Sequence, residues 1–368
     1  MRKWISFAAF MAAAAVGCSQ EPTAPTSDSI ALDAPTAQAH GEHSQHGHHS
    51  QDKFVIANRG SGTISVIDAD SYDVIGTYDL PAAEGEPTPE PMYVVYNRNR
   101  VFVGDRANDR VVAFDPRSFE VEGTVPAGDG IFHMWANATG KQLWVNNDID
   151  NTTTVIDTRN LSVITTVDTP ADLVAMGGKP HDVIVGPHNR FVYVSVLTAA
   201  EDDYVVQYDA QSFEEVGRAA VGKDPHLSLA RQHNRLYVPC QGSDVVIVLN
   251  RYTLDEMTRI DVPGAHGAAM APNGKHFYTA NLPGGGTDAI FTIDTRRNRT
   301  VGEAVDSPYP VPHNLALDQS GRTMFLTHSG GTADKVTIYS VRGAGKKVRY
   351  ASEVTVGLNP FGLAYVPR

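Results

Sequence analysis

Five histidines recur in consecutive segments of the chain: His133, His181, His226, His266 and His313, separated by 48, 45, 40 and 47 residues. Neutral imidazole is the commonest protein ligand for zinc and copper, and its charge changes near neutrality. Matching positions therefore raise metal binding before any other chemistry. Histidine supplies only 9 residues from position 54 onward, so composition does not account for five in a row. Duplication of a repeat could copy one ancestral histidine without a role, and a single buried histidine is most often satisfied by ordinary hydrogen bonds. Five converging neutral imidazoles are harder to satisfy, because each brings one donor and one acceptor. A bound cation resolves that by taking the acceptor lone pairs.

The elements that must bring these residues together are visible as a repeat. After Lys53 the chain returns to one pattern, three alternating apolar runs separated by polar turns, with a fourth run opening each unit. The third run closes in a turn-forming residue: Asp68, Asp115, Asp157, Asp209, Asn250 and Asp294, with Ser340 the exception. Aspartate and asparagine suit this place because their side chains bond the backbone of a tight turn. The opening runs start at Met92, His133, His181, His226, His266, His313 and Phe361, a period of 40 to 48 residues. Four short strands per unit at that period predict an all-β chain, a seven-bladed β-propeller of four-stranded blades over 53–368. Residues 54–80 supply three strands and the C-terminal NPFGLAYVPR one, so the N- and C-terminal strands are expected to share a blade and leave no free sheet edge at the junction. The second strands end in FVIAN (54–58), LWVNN (143–147), LYVPC (236–240), FYTAN (277–281) and MFLTH (324–328), and in these strings the chain resembles the YVTN family of propeller repeats.

In a propeller the opening strand is innermost, and the second strand returns to the same face. Its end residues form a second circle: Asn58, Asp105, Asn147, Val196, Cys240, Asn281 and His328. Two of these replace asparagine with a metal-ligating type, and both lie in blades that carry an opening histidine. The expected centre at the axial channel mouth is therefore His133, His181, His226, Cys240, His266, His313 and His328. Imidazole with thiolate suits a copper or zinc ion, whereas calcium and magnesium call for oxygen. Asp182 and Asp224 flank opening histidines and either orient imidazoles or cap turns. His188, His233 and His276 fall in first-to-second strand turns and are expected to face solvent; Trp135 and Trp144 read as packing residues. The nucleophile-elbow, phosphate-loop, dinucleotide and zincin-helix motifs do not occur.

The N-terminus has its own logic. Arg2 and Lys3 precede an apolar run ending at Ala15-Val16-Gly17-Cys18, which resembles a lipoprotein signal peptide (1–17) whose Cys18 is lipidated. Residues 18–52 read as a disordered, His-rich tether in which His40, His43, His46, His48 and His49 gather metal loosely. With Cys18 lipidated, Cys240 has no intrachain disulfide partner. The formal charge of −12 includes Arg2 and Lys3, so the processed chain sits at −14, against nucleic acid and against contact with a membrane other than by lipid. The expected location is extracytoplasmic, on the outer membrane facing the periplasm.

Two families set the functional expectation. The axial histidines at 133, 181, 226, 266 and 313 resemble those of the nitrous oxide reductase propeller, which implies copper. The exported propeller with His40–His49 resembles periplasmic zinc metallochaperones. Metal trafficking or sequestration, with a delivery or acceptor protein as partner, is the leading reading. A copper-dependent periplasmic oxidoreductase and a metal-free interaction platform are the alternatives.

Overall fold

The computed structural model describes residues 52–97, 99–230, 232–282 and 289–368. The expected signal peptide (1–17), the expected lipidation site Cys18 and the metal-gathering histidines expected in the tether, His40, His43, His46, His48 and His49, lie outside the described residues. Seven antiparallel sheets follow one another along the chain. Blade 1 opens with Pro91–Tyr96, blade 2 with Ile131–Ala136, blade 3 with Lys179–Val185 and blade 4 with Ser228–Leu229. Blades 5 and 6 open with Ala265–Met270 and Pro312–Leu317. Blade 7 joins Pro360–Val366 to Lys53–Asn58, Thr63–Asp68 and Val74–Asp79, so the two ends of the chain share one sheet as expected. The architecture is a seven-bladed all-β propeller.

Local chemistry explains the blade edges. Asp68, Asp115, Asp157, Asp209 and Asp294 each accept two backbone N–H bonds from the turn that follows, and Asn250 accepts one. Four residues after each comes a left-handed residue: Tyr72, Phe119, Leu161, Phe213, Leu254 and Asn298. Blade 6, where Ser340 stands instead, continues its third strand to Arg342. Between blades the core is aliphatic and aromatic; Phe54 of blade 7 stacks on Phe325 of blade 6 at 3.8 Å.

The axis is crowded enough to demand glycine. A Cβ on Gly267 would lie 1.9 Å from the carbonyl oxygen of His313 in the next blade. Gly267→Ala is expected to cost about 3 kcal/mol of stability, the upper range for overpacking against backbone, measured as a fall in denaturation midpoint at constant slope.

Candidate metal centre in the axial channel

Six of the seven inner strands carry a bulge at the same place. Pro180 pairs with Val196 and Val183 with Val194, so His181 and Asp182 together oppose Ser195. The same shift occurs at 91/94, 131/134, 265/268, 312/315 and 360 to 363. A bulge re-aims side chains and terminates regular pairing. Blade 4 differs, pairing Pro225 with Cys240 and Ser228 with Tyr237 without an extra residue. Polar residues opposite the bulges brace them: Ser195 Oγ accepts from Asp182 N at 2.9 Å within blade 3, and Asn146, opposite the bulge of blade 2, donates from Nδ2 to His181 O of blade 3 at 3.0 Å.

This register corrects one expectation. The residues equivalent to His181, His226, His266 and His313 are Met92, Phe132 and Phe361. His133 stands one position later, level with Asp182. Blades 3 to 6 thus present an arc of four histidines, closed by an apolar arc from blades 7, 1 and 2. His133 still joins the group, with ring centroids 5.2 Å from His181 and 5.4 Å from His226. His181 and His226 lie 4.7 Å apart, His226 and His266 3.8 Å, and His266 and His313 4.8 Å.

Two carboxylates complete the centre. Asp182 Oδ1 accepts from His133 Nδ1 at 2.9 Å, while its Oδ2 accepts from the Leu227 N–H at 2.8 Å. That bond places a proton on Nδ1, so in the neutral ring the lone pair is on Nε2, and this buried Nε2 has no hydrogen-bond partner. Asp224, held in a left-handed conformation at φ 56°, turns its Oδ1 toward His181 Nε2 at 3.4 Å and His226 Nε2 at 3.9 Å. The two Nε2 atoms are 3.3 Å apart. Tetrahedral zinc or copper with ligands at about 2.0–2.2 Å has ligand atoms roughly 3.3–3.6 Å from one another, so this triangle is close to ligand spacing. Two further triads have donor atoms within 4.8 Å: His133, His181 and His226, and Asp224, His226 and His266.

The electrostatics keep the four opening imidazoles uncharged. Burial, reinforced by the other imidazoles, holds His181, His226 and His266 well below the usual histidine value, and His313 is pushed down to about 3. Neutral imidazole is the ligating form. Burial, with help from the Asp203 carboxylate, pushes Asp224 up to about 7. Asp203 is itself held by Lys223 Nζ and accepts the Asp224 N–H at 2.7 Å.

Cys240 and His328 do not belong to the centre, and their cross-strand partners show why. Asn58 Nδ2 donates to Thr63 and Ser65, and Asn147 Nδ2 to Thr152 and Thr154, each a hydroxyl on the third strand. His328 takes the asparagine's part: its Nε2 bonds Thr337 Oγ1 at 2.8 Å and its Nδ1 Pro310 O at 3.1 Å. Cys240 and Val196 face apolar diagonal residues, Ile247 and Val206, as Asp105 and Asn281 face Val112 and Phe291, so Cys240 has no third-strand hydroxyl to bond. Burial pushes the Cys240 thiol up, and its Sγ lies 3.4 Å from Val238 O. His328→Asn should therefore cost at most about 0.5 kcal/mol while His328→Ala costs about 1–2, the price of a lost buried bond, with metal content unchanged in both by elemental analysis.

Three other expectations change. The histidines are not at an open mouth: all five are buried, and Arg106 and Arg59 lie 5.7 and 5.9 Å over the rings of Phe132 and Phe361. The open space is a channel of about 790 Å³ lined by His133, Asp182 and His226 at one end and by inner-strand ends such as Val185 and Tyr365 at the other. Trp135, read as packing, is 44% exposed and lines that channel. His276, read as solvent-facing, is buried, and burial lowers its pKa. Sequence reasoning missed Asp224 as a donor in its own right, and Lys223 and Asp203 as its support; a carboxylate two residues before an opening histidine was the available signal.

Comparison with known proteins adds the family. No curated protein matches the chain. Among solved structures, the periplasmic gluconolactonase of Pseudomonas aeruginosa superposes with a TM-score of 0.67 at 18% identity, covering 86% of this chain and 99% of that one. The hydrazine synthase of Kuenenia stuttgartiensis superposes at 0.63 and 15% identity, covering 76% and 91%. Relatives this distant and this different in chemistry share the fold alone. The family model "Lactonase, 7-bladed beta-propeller" matches residues 26–258, and the chain belongs to that family.

Proposed function

We propose that the propeller binds one copper or zinc ion in its axial channel, for metal trafficking or sequestration. The triangle of His181 Nε2, His226 Nε2 and Asp224 Oδ1, with edges of 3.3, 3.4 and 3.9 Å, carries this reading. The donors are neutral imidazoles plus one carboxylate, a set that suits zinc and copper. In this reading Cys18 anchors the chain by lipid outside the cytoplasm, His40–His49 collect metal, and a partner protein delivers or accepts it. The test is elemental analysis and zinc titration of the full chain carrying His40→Asn, His43→Asn, His46→Asn, His48→Asn and His49→Asn. One ion per chain, removable by a chelator, is expected; a protein that stays metal-free in excess zinc and keeps its melting temperature defeats the reading.

Lactone hydrolysis is the second reading, favoured by the family and by one feature of the site. His133, with Nδ1 donating to Asp182 and Nε2 facing the channel end without a partner, has the arrangement of a general base. Such a base would draw a proton from water as it attacks a lactone carbonyl. Acid release from a sugar lactone, followed at constant pH, should then fall at least about 100-fold in Asp182→Asn. Acid release by metal-stripped protein at the rate of buffer alone rejects metal-independent hydrolysis.

A further inference from the structure

The donors form a graded series. His133, His181 and His226 make one triad, His181, His226 and Asp224 the next, and Asp224, His226 and His266 the last. Successive triads share two ligands, and His226 belongs to all three. The series is also graded in access: His133 and His226 line the channel, whereas His266 is fully buried and lies outside its lining.

We propose that these triads are successive positions of a single ion, which enters through the channel from the face where the inner strands end. The inference rests on the metal-binding reading above. An ion captured by the free Nε2 of His133 moves inward by exchanging one ligand at a time. It gives up His133 for Asp224, then His181 for His266, and keeps two protein ligands throughout. Its charge is never stripped of donors in a buried, poorly solvated place, which is the costly step of any transfer through a protein interior. One ion at a time follows from His226 being common and from the repulsion between two buried divalent ions a few ångströms apart. Asp182 is a positioning residue: both its oxygens are engaged, and it sets the orientation of His133. The closed end suits retention and the open end exchange, so His133 governs how fast metal loads and His266 how tightly it is kept.

The experiment is stopped-flow loading and equilibrium competition with zinc, using a fluorescent chelator, on the tether-substituted full chain. His133→Gln is expected to slow loading about 10-fold or more while changing Kd less than about 3-fold. His266→Ala should weaken Kd about 10- to 100-fold with loading unchanged. Ala268 lines the channel, and Ala268→Phe should slow loading and release together at constant Kd. Circular dichroism and melting curves establish that each variant is folded, and a misfolded His133→Gln is replaced by Asp182→Asn, which frees His133 and should slow loading alike. Loading unchanged in the folded His133 or Asp182 variant, or His133→Gln weakening Kd as much as His266→Ala, overturns the relay. A parent chain that binds no zinc defeats the relay and the metal reading together, whereas tight binding with loading insensitive to every variant defeats the relay alone.

Discussion

His226→Ala combined with His266→Ala is expected to abolish stoichiometric metal binding. His226 belongs to every triad, and His266 is the buried donor left to the last one. Structural zinc sites draw about 10–16 kcal/mol from roughly four ligands, so each lost ligand is worth about 3 kcal/mol, and two about 6. That corresponds to a Kd weakened on the order of 10⁴-fold. The fold should persist, because both side chains are replaced by a smaller one in a channel wall and leave the bulge pairing of the backbone intact. The readout is metal content after dialysis, with circular dichroism as the control. Retained stoichiometric metal in the double variant would show that the ion, if bound, sits elsewhere.

Acid is expected to destabilise the metal-free propeller steeply. His181, His226, His266 and His313 have folded-state pKa values below the ordinary 6.5, chiefly through burial. Below pH 6.5 the unfolded chain takes up protons that the folded chain refuses, so stability falls as pH drops. His313's share of the loss levels off beneath about pH 3, where it protonates in the fold. Asp224 acts in the opposite sense: raised to about 7, it holds a proton in the folded state that the unfolded chain binds only near pH 3.8. Folding therefore gains from Asp224 between about pH 7 and 4, offsetting one of the four histidines. Each unopposed histidine contributes up to about 1.4 kcal/mol per pH unit, and allowing for local relaxation we expect a loss on the order of 5 kcal/mol between pH 7 and 5. Denaturant titrations of chelator-treated protein measure it; a flat stability profile across that range would mean that the imidazoles are charged or solvated in the fold. Replacing His181, His226 and His266 by glutamine should flatten the same profile.

The architecture was legible in the chain because it depends on local chemistry repeated many times. Alternating apolar residues specify strands, and Asp or Asn at positions 68, 115, 157, 209, 250 and 294 closes the same turn whatever lies beyond it. The period then counts the blades, and the complementary ends close the circle. The convergence of His181, His226, His266 and His313 on one axis follows from that symmetry. What tertiary structure decided is which donors face one another. A bulge shifts register by a residue without leaving a mark in the sequence, so His133 reads as a copy of His181 although it is the neighbour of Phe132, which occupies that place. Cys240 and His328 read as ligands because of their types, yet His328 is engaged by Thr337 and Cys240 is buried diagonal to Ile247, both on another strand. Asp224 reads as a residue that orients an imidazole or caps a turn, and only a left-handed backbone held by Asp203 aims it at two imidazoles as a donor itself. Side-chain type and spacing are properties of the chain; the direction of a side chain across a sheet belongs to the pairing, and coordination chemistry depends on direction.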